Sequence, residues 1–165
     1  MRNVRPANPR RFAPPPLGKG AKYVRPSVKG DVDVLFERMP VEDRDDLARG
    51  WGGYGMTPKE LLEYSFENSM ECLTIVDGDE VLGMFGVVEA VGGGWVWLMR
   101  AHDIGRVAIR FVRHGHVYVE KWLERYKHLT GMINKRYVRF VRWLEWEGFT
   151  LTDCGDYWMV EKWAL

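Results

Sequence analysis

His114 and His116 are the pair whose type and closeness first suggest chemistry, since two imidazoles can grip a metal ion. Their spacing decides against it on a helix, where positions two apart point about 200° from one another. Only a strand would let the pair converge, and the expectation is a polar helix face. Cys72 and Cys154 have no metal-ligand spacing and frame no disulfide, the pattern of a reducing compartment. Cationic side chains are the stronger signal. Arg106, Arg110, Arg113 and His114 recur at spacings of three and four, and so do Lys135, Arg136, Arg139 and Arg142. On helices each set shares one face, which suits water or an acidic partner.

A third cationic set begins the chain. Residues 1–29 hold eight Lys or Arg and no acid, while the other 136 residues hold 16 basic and 23 acidic side chains. A net charge of +1 therefore joins two unlike pieces, the second at −7. Pro6, Pro9 and Pro14–Pro16 remove amide donors and fix φ, so residues 1–22 are predicted to be an extended arm. Arg2, Arg5, Arg10, Arg11, Phe12, Lys19 and Lys22 are its candidate contacts, directed at a neighbouring protein's acidic groove or at nucleic-acid phosphates. Protein is favoured for the globular part because that part is net negative.

The elements that position these groups follow from periodicity. Tyr23–Val28 reads as a short strand, and Gly30-Asp31 opens a helix through Met39 with Asp31 or Asp33 as its cap. Residues 41–56 turn acidic and then glycine-rich, which predicts a short helix or turn followed by a loop. Thr57, Pro58 and Glu60 form a capping-box start for a helix running to about Ser69. Glu71–Asp77, Glu80–Val91 and Trp95–Met99 alternate as an antiparallel meander with a tight turn at Asp77-Gly78. Gly83 and Gly86 inside the second strand predict a bulge or close packing. Apolar residues from Ile104 to Tyr126 keep a 3.6-residue period, predicting one long helix over about 103–126. Leu129–Asn134 reads as a strand and residues 135–147 as an amphipathic helix stopped by Gly148. A hairpin of Phe149–Asp153 and Tyr157–Trp163 closes the chain. The predicted class is α+β, layered α/β/α: a mixed, mostly antiparallel sheet flanked by helices, over residues 23–165.

Composition narrows the classes. Hydrophobic residues make up 46% of 165 residues, enough for one cored domain and too many for a disordered chain. No apolar run approaches the roughly 20 residues that cross a bilayer, and the basic, proline-rich start lacks a signal peptide's apolar stretch. Eight tryptophans imply a thick aromatic core, a contact surface, or both. Trp95 and Trp97 share a strand face, while Trp122, Trp143 and Trp146 fall on helices. Val138, Val141 and the stretch 143–146 spread over more than one face of the last helix, so part of that surface is expected to meet a partner.

The order of elements resembles the GNAT superfamily of acetyl-CoA-dependent N-acetyltransferases. The nearest local match is Asn134–Phe149, NKRYVRFVRWLEWEGF, in which an Asn closes a strand and an amphipathic helix ends in Gly-Phe. EVLGMFGVVEA and the long helix also sit where that fold expects them. The set GMFGV, GGGWVWLMRAHDI, FVRHGHVYVEKWLERY and NKRYVRFVRWLEWEGFTL is similar, more narrowly, to GNAT-like proteins of short-tailed bacteriophages, described as internal virion proteins or acetyltransferase-like proteins.

The wider resemblance implies a pyrophosphate cradle at the start of the long helix, with Arg100, Ile104, Gly105 and Arg106 as its cofactor contacts. The family pattern is only partly present. If Gly105 is its first glycine, His102 stands at the Gln/Arg position and Val107 at the second small residue, and Asp103 puts negative charge at an anion site. The family's general-acid Tyr falls at Leu144, which has no proton to give. The expectation is therefore a fold without its chemistry and without a bound cofactor, with acetyl-CoA binding and acyl transfer as the alternative. The narrower resemblance implies a structural or assembly protein of a tailed-phage virion. Such a protein is present in the host cytoplasm before assembly, meets core, portal, connector or tail proteins in multiple symmetric copies, and has no membrane partner. Arg110, Arg113, Arg136 and Arg139 join the arm as partner contacts, and DNA is a further contact for the arm.

Overall fold

The structure, a computed structural model, describes residues 23–50 and 55–165. The arm, with Arg2, Arg5, Arg10, Arg11, Phe12, Lys19 and Lys22, lies outside the described residues. Fourteen regular segments follow, thirteen of them strands and α-helices in the order β1 (Val24–Pro26), α1 (Lys29–Arg38), α2 (Val41–Gly50), α3 (Pro58–Asn68), β2 (Ser69–Asp77), β3 (Glu80–Ala90), β4 (Gly93–Arg100), α4 (Ala108–His114), α5 (His116–Tyr126), β5 (His128–Asn134), α6 (Val138–Trp146), β6 (Thr150–Cys154) and β7 (Tyr157–Trp163). The fourteenth is a 3-10 turn, Ile104–Arg106, ahead of α4.

The strands form one seven-stranded sheet in the order β1-β2-β3-β4-β5-β7-β6. Every pairing is antiparallel except β4 with β5. That parallel pair needs a crossover, which α4 and α5 supply. Side-chain alternation then builds two cores. Leu73, Ile75, Phe85, Val87, Leu129 and Val160 face α4, α5 and α6. Val81, Met84 and Trp97 face α1, α2 and α3. Leu35 and Leu62 are fully buried on the second side, each contributing about 1.5–3 kcal/mol of burial. The layered, mostly antiparallel architecture is the predicted one.

Local signals act as read in several places. Thr57 Oγ1 accepts from the Glu60 amide and Glu60 returns a bond to the Thr57 amide. Gly86 packs so closely that a Cβ would lie 2.7 Å from the Glu71 carbonyl oxygen. Gly78, Gly148 and Gly155 hold positive φ at the turns assigned to them.

Other boundaries need correction. Neither Asp31 nor Asp33 is the α1 cap. Val28 is, and Asp31 sits in the first turn, accepting from the Val28 amide at 2.9 Å. Residues 41–50 form a full ten-residue helix. The long helix is three pieces: the 3-10 turn, α4, and α5 after a break at Gly115. Gly115 keeps helical φ and ψ, and the reason for glycine there lies in another helix. The Trp143 indole occupies the space of a Gly115 Cβ, which would meet its Cζ2 at 2.8 Å. The last helix starts at Val138, so Lys135 and Arg136 belong to the turn before it.

Candidate functional site

β4 and β5 make a fork. They pair only at Gly94 with Leu129 and Trp95 with Thr130. At the next position a Cβ on Gly131 would lie 2.8 Å from the Val96 carbonyl oxygen, so glycine permits the close approach at the crotch. Beyond it β4 runs on to Arg100 and β5 to Asn134 without pairing to one another.

Helix α2 straps the mouth of this fork. Leu47 anchors it in the core beside Trp97 and Ala101, which turns Asp43 and Asp46 toward the strand ends. Asp43 is buried and accepts from Arg100 Nε at 2.9 Å, from Arg136 Nη2 at 3.2 Å and from the Tyr137 hydroxyl. Asp46 accepts from Asn134 Nδ2 at 3.2 Å, from Tyr157 at 2.9 Å and from Arg136 Nη1 at 3.2 Å. Thus Arg100 ends one tine, Asn134 ends the other, and one helix holds both. The Arg100 and Arg136 guanidiniums also pack on the Tyr137 ring, 4.8 and 4.7 Å from its centroid. Burial and the adjoining Asp43 carboxylate push the Tyr137 phenol above its ordinary range, so it stays protonated and donates. Burial works against the Arg100 charge, but Asp43 holds that guanidinium firmly protonated. Two carboxylates and two guanidiniums leave the cluster formally neutral.

The segment read as a cofactor loop has its own internal partners. The Ile104, Arg106 and Val107 amides donate to the carbonyls of Ala101, Asp103 and Ile104. Asp103 pairs with Arg38 at 2.6 Å. Arg106 pairs with Asp77 at 2.6 Å and with Glu80, which ties it to the β2–β3 turn and away from the cationic face predicted for it. Ile104 packs against the core, and Gly105 is exposed with open space where a Cβ would be. Only Arg100 of the four candidates reaches the fork. A pyrophosphate needs free amides and no competing carboxylate. The Ile104, Arg106 and Val107 amides are engaged and the Asp103 carboxylate sits at the helix start, so these residues do not fit that group well. Leu144, at the family's Tyr position, is buried among Phe111, Trp143 and Phe149 in the core.

The remaining candidates separate. Arg136 belongs to the fork-mouth cluster, and Lys135 pairs with Asp153 at 2.6 Å. Arg110, Arg113 and Arg139 are exposed on α4 and α6. His114 lies against Tyr23, ring centroids 5.9 Å apart, while His116 begins the next helix. Among the described residues no group of three or more His, Cys, Asp or Glu could hold a metal ion, and no helix is long and apolar enough to cross a membrane. Met132 on β5 is exposed and Met99 on β4 is half-buried. The closure is polar. Asp43 and Asp46 were not singled out by spacing, since each finds its partners through the sheet, whereas Asn134 belongs to the stretch that carries the family resemblance.

No protein-family model matches the chain, and no curated protein matches it. Solved structures do match. The GNAT domain of S. lividans PAT superposes with a TM-score of 0.57 at 13% identity, covering 86% of this chain and 89% of that one. A GNAT-family acetyltransferase from Bacillus anthracis gives 0.58 at 8% identity, covering 85% and 93%. A GNAT superfamily phosphinothricin acetyltransferase from Sinorhizobium meliloti, solved in complex with AcCoA, gives 0.56 at 14% identity, covering 84% and 86%. The forked seven-stranded sheet with its flanking helices is therefore the GNAT N-acetyltransferase fold.

Proposed function

We propose that this chain is a GNAT-fold domain that works by contact, as a structural or assembly protein of a tailed-phage particle. One observation carries the loss of chemistry: α2 straps the fork through Asp43 and Asp46. The Asp103 carboxylate beside Gly105 and the core position of Leu144 support the same reading. The phage assignment rests on the sequence resemblance over GMFGV to EGFTL and on an arm with six cations and no acid before Tyr23. The arm grips a neighbouring virion protein, and the folded domain is the body it tethers. Deleting residues 1–22 is expected to leave residues 23–165 folded but absent from assembled particles. Normal incorporation of the truncated chain would contradict the anchoring role.

A second reading has an observation of its own. The fork is present, and Tyr137 at its mouth is a protonated phenol, the state a general acid needs. On that reading the protein transfers an acyl group from acetyl-CoA to an amine, and Tyr137→Phe lowers kcat by about 10²-fold or more, beyond the roughly 1–3 kcal/mol of stability lost with its bond to Asp43. Absence of transfer by the wild-type protein across amine and peptide acceptors would remove it.

A further inference from the structure

The two helical layers carry opposite charge on opposite sides of the sheet. Helices α1, α2 and α3 hold ten acidic and five basic side chains, whereas α4, α5 and α6 hold three acidic and six basic. On the cationic layer, Arg113, Arg139 and Arg142 are exposed and no carboxylate pairs with them among the described residues. Trp143 brings them together. Its indole N–H donates to the Val112 carbonyl at 3.1 Å and its ring lies on Gly115, which seats α6 beside α4. Large apolar side chains stand among these arginines: Ile109 is 68% exposed and Val138 52%. On the anionic layer Asp33 pairs with Lys59 at 2.9 Å, and Glu37 and Glu63 both lie close enough to act on the same ammonium. Exposed Val34 on α1 adds an apolar component there.

A merely solvated face has no need of large apolar groups between unpaired like charges. Apolar groups rimmed by charge of one sign, opposite an equally mixed surface of the other sign, are the pattern of complementary interface halves. We infer that a second copy of this chain docks its α1/α3 face on the α4/α6 face of the first. The two faces differ and point away from one another, so the contact is heterologous. It propagates head to tail into a ring or filament and does not close as a two-fold dimer. This contact does not depend on whether the fork performs chemistry.

Sedimentation velocity on the full chain tests it at ionic strengths of about 0.05 M and about 0.5 M, which bracket the range where screening sets in. Species larger than a dimer are expected at low salt and monomer at high salt. Arg139→Glu/Arg142→Glu turns the α4/α6 face from four basic and one acidic side chain to two basic and three acidic, and Glu37→Lys/Glu63→Lys turns the α1/α3 face from three basic and six acidic to five basic and four acidic. Each is expected to self-associate at least about tenfold more weakly, and an equimolar mixture of the two to recover association. Circular dichroism confirms that each variant is folded, and the mixture itself requires both to present intact faces. Wild-type protein that stays monomeric at low salt would overturn the proposal. So would folded variants that remain apart when mixed. Association lost on deleting residues 1–22 but kept in Arg139→Glu/Arg142→Glu would place the arm on the acidic face and overturn it as well.

Discussion

Asp31 illustrates how much one buried carboxylate can organise. It accepts from both Arg25 guanidinium nitrogens at 2.7 and 2.8 Å, from the Val28 amide at 2.9 Å and from the Thr74 hydroxyl at 2.8 Å. Burial pushes its pKa up, but Arg25, Val28 and Thr74 together hold it below the usual carboxylate range. A pKa lower in the folded state means a contribution fully present above the unfolded value, about 3.9, and lost as pH falls through the folded one. Asp31→Asn is therefore expected to cost about 2–3 kcal/mol at pH 7, with the gap to wild type narrowing below about pH 4. Urea melts at both pH values check this, and a gap unchanged in acid would contradict it. Gly115 makes a different kind of demand. A Cβ there meets Trp143 at 2.8 Å and the Phe111 carbonyl oxygen at 2.9 Å. Gly115→Ala is expected to destabilise by about 1–3 kcal/mol through overpacking, outweighing alanine's better helix propensity. Thermal unfolding measures it, and a raised Tm would contradict the packing account.

Helix α2 is the element on which the site turns. Asp43→Ala leaves Arg100 and Tyr137 without their shared acceptor and is expected to cost about 1–3 kcal/mol. Hydrogen exchange should show faster amides concentrated in 41–50, since the other elements keep their own cores. A uniform loss of protection, or none, would contradict the strap. This helix is also where sequence reasoning fell short. Four acids in residues 42–46 read as a short helix or turn with no partner to name, and the helix is there, yet Asp43 is buried. Its partners Arg100 and Arg136 stand 57 and 93 residues away, and no local spacing reports a pairing that the sheet creates. The α3 start was legible because Thr57 and Glu60 satisfy one another within a turn. The apolar period over 103–126 was also sound, since the same residues face the core on both sides of Gly115. What it could not show was Trp143, which arrives from another helix and packs where a Gly115 Cβ would be. Arg106 was misplaced for a similar reason: the β2–β3 turn, 26 to 29 residues back, supplies its carboxylates.

At the scale of the molecule, strand alternation and helix periodicity were enough to reach the layered sheet, and the resemblance of the element order and of Asn134–Phe149 to GNAT proteins supplied the fold. They could not reach the fork's state, because that depends on which side chains meet at the ends of β4 and β5. The charge difference between the two helical layers likewise appears only once the sheet assigns α1–α3 and α4–α6 to opposite faces. On the function proposed above, the fork keeps the fold and has given up the cofactor. Thermal unfolding of the full chain with and without excess acetyl-CoA tests it directly. A ligand at 100 times its dissociation constant adds about 2.7 kcal/mol to the folded state. That is a rise of roughly 5–10 °C in Tm for a domain of this size. No shift is expected at millimolar acetyl-CoA. A rise of that size would contradict it and return the fork to catalysis.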